Sequence, residues 1–303
     1  MSTRFVVFGE ALTDFIREEG AHWRAVAGGS CWNVARVGAR LGVGTGFAGA
    51  VSRDVFGDEL AQLSADAGLD LRFLQRLDKS PFLAIVPSKH PPSYFFVGDD
   101  SADLHFDPER LPQGWLDAAQ TVHFGSISLV RQPLAERLLT LARQVKAAGR
   151  AICFDPNHRD LMDQRYTSTL QAMAGLADYI KVSDEDLAKL FPAQDAVQAL
   201  ATLRGWAPDA QILFTRGGDG MTLLTPQGDY SRPVFPVQVA DTVGAGDASM
   251  GGWMTSLLTR PDATPAAHLD FAAATAALAC THHGAYAPTR GEVERLLGRV
   301  DNF

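Results

Sequence analysis

One stretch of this chain carries both a base and a cradle for an anion: Asp241-Thr242-Val243-Gly244-Ala245-Gly246-Asp247. After Gly246 the pattern turns helical, with Met250, Trp253, Met254, Leu257 and Leu258 on one face. Small residues ahead of that helix let the amides of Gly244, Ala245, Gly246 and Asp247 point at one spot. The helix dipole makes that spot favourable for an anion. A carboxylate in the same place, Asp247, repels phosphate unless it takes a proton from an attacking hydroxyl. A base beside an anion hole is what phosphoryl transfer requires. The competing reading is an acid favoured in the first turn of a helix after a Gly-rich loop, with no chemistry attached.

A second motif lies near the other end: Gly28-Gly29-Ser30-Cys31-Trp32-Asn33-Val34-Ala35, running to Leu41-Gly42. Ser30 is expected as the helix N-cap and Asn33 in the first turn. Paired glycines allow a ligand close to the backbone, and Asn33 can both donate and accept hydrogen bonds, as a polyol demands. An ordinary capped helix after a turn explains the same residues.

The elements that must position these groups are legible as short apolar runs: Phe5–Phe8, Phe47–Val51, Thr121–Phe124, Ala151–Phe154, Asp178–Val182 and Gln211–Thr215. Helical patterns lie between them, with Leu134, Leu138, Leu141 and Val145 on one face and Val34, Val37 and Leu41 on another. Buried strands alternating with helices predict an α/β fold, a doubly wound, mostly parallel sheet covered on both sides. About 13–27 and 71–97 break that rhythm and read as a small β lid inserted into one domain spanning 1–303. Gly9-Glu10, Gly125-Ser126, Asp155-Pro156-Asn157, Ser183-Asp184 and Arg216-Gly217-Gly218 each follow a strand directly. Open parallel sheets bind ligands beyond the carboxyl ends of their strands, so five polar clusters there imply one long site.

The 303 residues suffice for one large α/β domain with an appendage or two modest domains, and 46% hydrophobic residues allow a substantial core. A formal charge of −8 argues against a nucleic-acid partner, though a local nest of amides binds phosphate on an acidic protein. Cys31, Cys153 and Cys280 are scattered without metal-ligand spacing and read as free thiols in a reducing compartment. Met1-Ser2-Thr3-Arg4 runs straight into Phe5–Phe8, so no secretion signal is expected, no run spans a membrane, and the expected compartment is the cytoplasm.

Three decoys are set aside. His158-Arg159-Asp160-Leu161 matches the opening of a protein-kinase catalytic loop, but Arg165 stands where that loop needs Asn. Gly44-Thr45-Gly46-Phe47-Ala48-Gly49 enters a strand instead of leaving one, the reverse of a dinucleotide fingerprint. His282-His283 before Gly284 reads as a helix end, not a metal site. No P-loop sequence occurs.

The two motifs, in this order near the two ends, resemble the paired signatures of the PfkB (ribokinase-like) carbohydrate kinases, and the likeness covers nearly the whole chain. Gly9-Glu10-Ala11-Leu12-Thr13-Asp14 resembles the opening strand whose Asp holds sugar hydroxyls. Phe154-Asp155-Pro156-Asn157-His158-Arg159 is similar to D-x-N-x-R, and Thr215-Arg216-Gly217-Gly218-Asp219-Gly220 to the nucleotide-side T-x-G-x-x-G. His123–Leu129 and Lys181–Leu187 look like the fructokinase branch. Two departures stand out. Ser183-Asp184-Glu185-Asp186 replaces N-x-x-E, and Phe95-Phe96-Val97-Gly98 replaces an aromatic-Arg pair.

The resemblance implies an ATP-dependent sugar kinase with Mg²⁺ and, through loops near Asp241 and Gly284, a K⁺ ion. Asp247 is then the base, with Gly244, Ala245 and Gly246 as the anion hole. Asp14, Gly28, Gly29, Asn33 and Arg159 bind sugar, with Arg159 open to the γ-phosphate instead. Ser183, Thr215, Gly217 and Gly220 bind nucleotide, and Asp186 meets the metal through water. D-fructose is the expected acceptor, because His123–Leu129 and Lys181–Leu187 resemble the fructokinase branch, while Ser93–Asp103 holds Asp99, Asp100 and Asp103 but no Arg or Lys to clamp an acidic sugar. Kinases for 2-keto-3-deoxygluconate, ribose or a nucleoside, and a non-catalytic sugar sensor, are the alternatives. A homodimer through the lid is a further expectation.

Overall fold

The computed structural model describes residues 2–18, 20–89 and 92–300. Phe5–Phe8 (β1) is buried at all four positions, because its side chains alternate between two cores. Phe5 and Val7 pack into one apolar cluster, Val6 and Phe8 into the other. Around β1 a nine-stranded sheet adds Thr45–Ser52 (β4) and Leu74–Leu77 (β5) on one side. On the other side lie Thr121–Gly125 (β8), Ala151–Asp155 (β9), Tyr179–Ser183 (β10), Gln211–Thr215 (β11), Met221–Thr225 (β12) and Gly228–Arg232 (β13). The order is β13-β12-β11-β10-β9-β8-β1-β4-β5. All neighbours are parallel except the β11/β12 and β12/β13 pairs.

Chain order reverses direction across the sheet at β1, which opens a crevice at the carboxyl ends. Helices cover both faces. Ser30–Arg40 (α1), Val55–Asp66 (α2), Ala245–Thr259 (α8), Pro265–Ala279 (α9) and Arg290–Val300 (α10) belong to the Phe5/Val7 side. Leu134–Ala147 (α4), Thr167–Leu176 (α5), Asp184–Leu190 (α6) and Ala196–Trp206 (α7) belong to the Val6/Phe8 side, next to the short Trp115–Ala118 (α3). The face Leu134, Leu138, Leu141 and Val145 is buried as its spacing predicts. Helix α8 goes further and is buried all round from Asp247 to Ser256. Its glycines permit this: a Cβ on Gly251 would lie 2.6 Å from Val37 of α1, and one on Gly252 2.6 Å from Thr275 of α9.

A second sheet of four strands, in the order β3-β2-β6-β7, contains Leu12–Arg17 (β2), Trp23–Gly28 (β3), Leu83–Lys89 (β6) and Pro92–Val97 (β7). The expected lid segment 71–97 is corrected here. Leu71–Phe73 is a single helical turn and β5 pairs in parallel with β4, so the outer part of that segment belongs to the main sheet. The reason is packing: Phe73 is buried against Gly46, where a Cβ would lie 2.6 Å from the ring. The β12–β13 hairpin was not anticipated from the sequence.

Candidate active site

Helix α8 begins after Gly244, whose φ of 78° is left-handed and whose missing Cβ would sit 2.7 Å from Ala285 Cβ. Glycine therefore lets the loop at Ala285 close on the helix start. The Ala245 amide donates to Thr242 O at 3.2 Å, so it does not point into the expected anion hole. Among the described residues the amides of Gly244, Gly246 and Asp247 have no hydrogen-bond partner. Of the three amides named for the cradle, those of Gly244 and Gly246 are the unpaired ones.

Asp247 is buried beside those amides. Its Oδ1 accepts from Ser30 Oγ at 2.7 Å and its Oδ2 from Asn33 Nδ2 at 2.9 Å. Burial pushes the carboxyl above its ordinary range, while Ser30, Asn33, Lys181 and Arg159 pull it back. Asn33 Oδ1 is buried without a partner, an acceptor still open to a hydroxyl. Asn33 thus lies in the first turn of α1 as expected, but its amide serves the carboxylate.

Ser30 is not the N-cap. Gly29, at φ 113°, precedes the helix without a side-chain cap, because the Ser30 hydroxyl is turned to Asp247. A Cβ on Gly29 would lie 2.6 Å from Glu10 O, so only glycine fits that crossing. The helix start is met instead by buried Glu10, whose Oε1 accepts from Ser30 N at 3.0 Å and Oε2 from Ser128 Oγ at 2.6 Å, and whose carboxyl burial pushes above its ordinary range.

Arg159 lies in the loop after β9. Its Nη1 donates to Asn157 Oδ1 at 2.7 Å and to the carbonyls of Asn157 and His158. Asn157, at φ 39°, sends Nδ2 to Ser30 Oγ at 2.6 Å. Lys181, buried in the middle of β10, lies 3.0 Å from Asp155 Oδ2 and 4.0 Å from Asp186 Oδ2. Burial opposes its charge, and the two carboxylates outweigh burial and hold its pKa above the ordinary value. Asp155 is pushed up to about 6 by burial despite Lys181. Asp186 closes a capping box with Ser183, at 2.6 Å between Oδ2 and Oγ, and accepts from His158 N at 2.8 Å. The kinase-like His158-Arg159-Asp160 is therefore part of this site by its backbone and Arg159 alone.

Asp14 on β2 is pushed up to about 6 by burial, with Arg159 pulling the other way. Gly28 lets it lie close: a Cβ there would be 2.5 Å from Asp14 Oδ2. Across the small sheet the Tyr94 hydroxyl of β7 faces the Asp160 amide. Of the three acids expected in the lid loop, Asp99 and Asp100 are exposed, and Asp103 is buried in an ion pair with Arg131.

Thr215 ends β11, where it pairs with Ser183 of β10. Gly217, at φ 47°, has open space where a side chain would go. Gly220 has a packing reason of its own: at φ 84° its Cβ would lie 2.2 Å from Arg232 O. His282 stacks on Tyr286 with ring centroids 3.7 Å apart, and a Cβ on Gly44 would strike Ser2 O, so both decoys are structural. Among the described residues no group of three His, Cys, Asp or Glu side chains is placed to hold a metal, and no helix is long and apolar enough to cross a membrane.

Sequence reasoning placed Glu10, Asp155 and Asn157 in the site's polar clusters without separate roles, and assigned none to Ser30 beyond capping, nor to Lys181 or Tyr94. Lys181 carried a signal, a lone cation inside an otherwise apolar strand, which must be buried with a partner.

A buried carboxylate next to open helix-start amides, at the carboxyl edge of a parallel sheet, defines a phosphotransferase. The model for "pfkB family carbohydrate kinase" matches residues 2–290. A fructokinase of Klebsiella pneumoniae is 33% identical over 98% of this chain and 100% of its own length. The structure of a Xylella fastidiosa fructokinase with bound ATP superposes with a TM-score of 0.90 at 30% identity, covering 99% of this chain and 100% of that one. Aminoimidazole riboside kinase from Salmonella enterica, complexed with aminoimidazole riboside and an ATP analogue, superposes at 0.85 and 30%, covering 97% and 100%. The chain belongs to the pfkB family of carbohydrate kinases, and it is a sugar kinase.

Proposed function

We propose that the protein transfers the γ-phosphate of ATP to a primary hydroxyl of a neutral sugar, D-fructose first, with Asp247 as the base. The observation that carries this reading is the Asp247 carboxylate, held at both oxygens and lying beside the open amides of Gly244 and Gly246. The sugar lies beneath the small sheet, against Asp14, Gly28, Gly29 and Asn33. Asp247 takes the hydroxyl proton, the freed oxygen bonds to the γ-phosphorus, and the bond to the ADP oxygen breaks. The open amides and Arg159 absorb the charge of the transferred group. The nucleotide extends along Ser183, Thr215, Gly217 and Gly220.

Mg²⁺ bound with ATP would offset phosphate charge through water-mediated contacts, and the adjacent carboxylates of Asp186 and Asp155 fit its outer shell. Asp241 ties its own loop to the other, accepting from Gly284 N at 2.9 Å, where the carbonyls of both would hold K⁺. The cytoplasm as working compartment is supported by three free thiols. Exposed Trp23, Phe95 and Val97 on the small sheet support a homodimer formed there.

A neutral acceptor is supported by the cations nearby. The Arg131 charge is taken by Asp103, and in this reading Arg159 serves the transferred phosphoryl group. An acidic sugar needs a free one. The riboside kinase relative makes a riboside the second candidate. Coupled ADP detection with D-fructose, aminoimidazole riboside, D-ribose, 2-keto-3-deoxygluconate and adenosine decides between them. D-fructose should show the highest kcat/KM. Another acceptor exceeding it tenfold, about 1.4 kcal/mol in transition-state binding, overturns the substrate assignment. No ADP from any of them overturns the kinase reading.

A further inference from the structure

We propose that Ser30 is a positioning residue for the base: its hydroxyl fixes the Asp247 carboxylate and links it, through Asn157, to Arg159. The proposal rests on Asp247 being the base. Its geometry is a continuous line that runs from half-buried Arg159 and Asn157 to buried Ser30 and Asp247. Arg159 Nη1 donates to Asn157 Oδ1 at 2.7 Å, Asn157 Nδ2 to Ser30 Oγ at 2.6 Å, and Ser30 Oγ to Asp247 Oδ1 at 2.7 Å. A serine hydroxyl has one proton to give, and Asn157 fills one of its acceptor sites, so the proton is directed at Asp247. Ser30 cannot drift, because its own amide is held by Glu10, which Ser128 holds in turn.

Two features set this line apart from incidental packing. First, the Ser30 hydroxyl, in the first turn of α1 after the Gly29 cap, bonds across to a carboxylate of another helix and not to its own. Second, Asn157 holds a left-handed backbone at φ 39°, a conformation that asparagine adopts more readily than other side-chain-bearing residues. In that conformation its one side chain reaches both Arg159 and Ser30. The group that takes the hydroxyl proton and the guanidinium nearest to it are thereby held in one fixed relation.

The line also acts on the charge of the base. Asp247 is faced by Ser30, Cys31 and Asn33 from α1, by Asp155 from β9, by Arg159 from the loop after it, and by Lys181 from β10. Ser30 and Asn33 are the two neutral donors in that set. Taking one away leaves a buried carboxylate with fewer donors and raises its pKa. Activity then needs a higher pH.

The test is a double-mutant cycle on the full chain, with saturating ATP and the best acceptor of the panel. Ser30→Ala should lower kcat about tenfold, leave KM for the sugar within about twofold, and move the acid limb of the kcat–pH profile upward. In an Asp247→Asn background the same change should lower kcat no further, since the group it acts through is gone. Asn157→Gly, which the left-handed backbone accepts, should shift the acid limb in the same direction and gives a second reading if Ser30→Ala does not fold. A normal kcat and an unmoved limb in Ser30→Ala, or an equal loss in both backgrounds, overturns the proposal. If Asp247→Asn itself keeps near-normal turnover, the base assignment has failed instead.

Discussion

The two ends of the cleft are held together in different ways. At the α1–α8 end the base and the buried lysine are fixed by partners far away in sequence, although Arg159 is held by its own loop. Asp247 is bound by Ser30 and Asn33, 217 and 214 residues distant, and Lys181 by Asp155, 26 residues distant. At the β11–β12 end the turn after Thr215 is fixed largely by itself: Asp219 N donates to Arg216 O at 2.8 Å, and Arg216 N to Gly220 O at 2.9 Å. The first end is buried and cross-braced between helices, whereas the second is an open turn on two paired strands. Chemistry that moves a proton needs fixed geometry and controlled charge, whereas holding a nucleotide through backbone groups needs only a correctly shaped turn.

The largest effect that would break this contrast is at the base. Asp247→Asn should lower kcat by roughly 10²–10⁴ while KM for sugar and ATP changes little. Steady-state kinetics on a protein with normal circular dichroism gives the answer. Near-normal turnover would reduce the cross-braced end to a helix-start acid with no chemistry.

At the other end the contrast is sharpened by two glycines in one turn. Gly220→Ala forces a left-handed backbone and drives a Cβ toward Arg232 O, so it should lose about 3 kcal/mol of stability in urea unfolding. Gly217→Ala faces open space and should lose about 1 kcal/mol, leaving kcat nearly intact. Equal losses would show that the Arg232 carbonyl does not press on the turn.

A pH-dependent effect separates holding from function at the base end. Asp14 has a folded-state pKa of about 6 against 3.8 for the ordinary group. The folded chain therefore binds more protons between those values, and this group's contribution to stability improves as pH falls from about 7 toward 4. Asp14→Asn removes the buried charge and should be more stable than the parent at pH 8 by about 2 kcal/mol, with the gap closing below about pH 6. Its sugar KM should rise. Thermal unfolding at pH 8 and pH 5 checks the first point, and a gap unchanged with pH would mean that Asp14 is not the buried charge its position implies.

The fold was legible because apolar runs such as Phe5–Phe8 and the Leu134–Val145 face state their own burial. Leu71–Leu77 was misplaced because a short half-buried strand has the same alternation in either sheet, and only the fit of Phe73 over Gly46 decides between them. At the site, Asp247 and Asn33 were legible as types in motifs. Ser30 was not, because one hydroxyl serves equally as a cap or as a donor to a distant carboxylate. Gly220 looked like a ligand glycine, yet the atom that demands it belongs to Arg232 on a neighbouring strand.

By itself, then, the sequence determined what is local: the period of each element, the glycines where backbone must come close, and a carboxylate at the start of a helix. Tertiary structure alone decided which groups meet. It turned Ser30 and Asn33 onto Asp247, placed Glu10 at the start of α1, and set Lys181 between Asp155 and Asp186. The physical reason is that hydrogen-bond and charge partners are chosen by distance in space, and residues more than two hundred positions apart are brought to 2.7 Å only by the packing of α1 against α8.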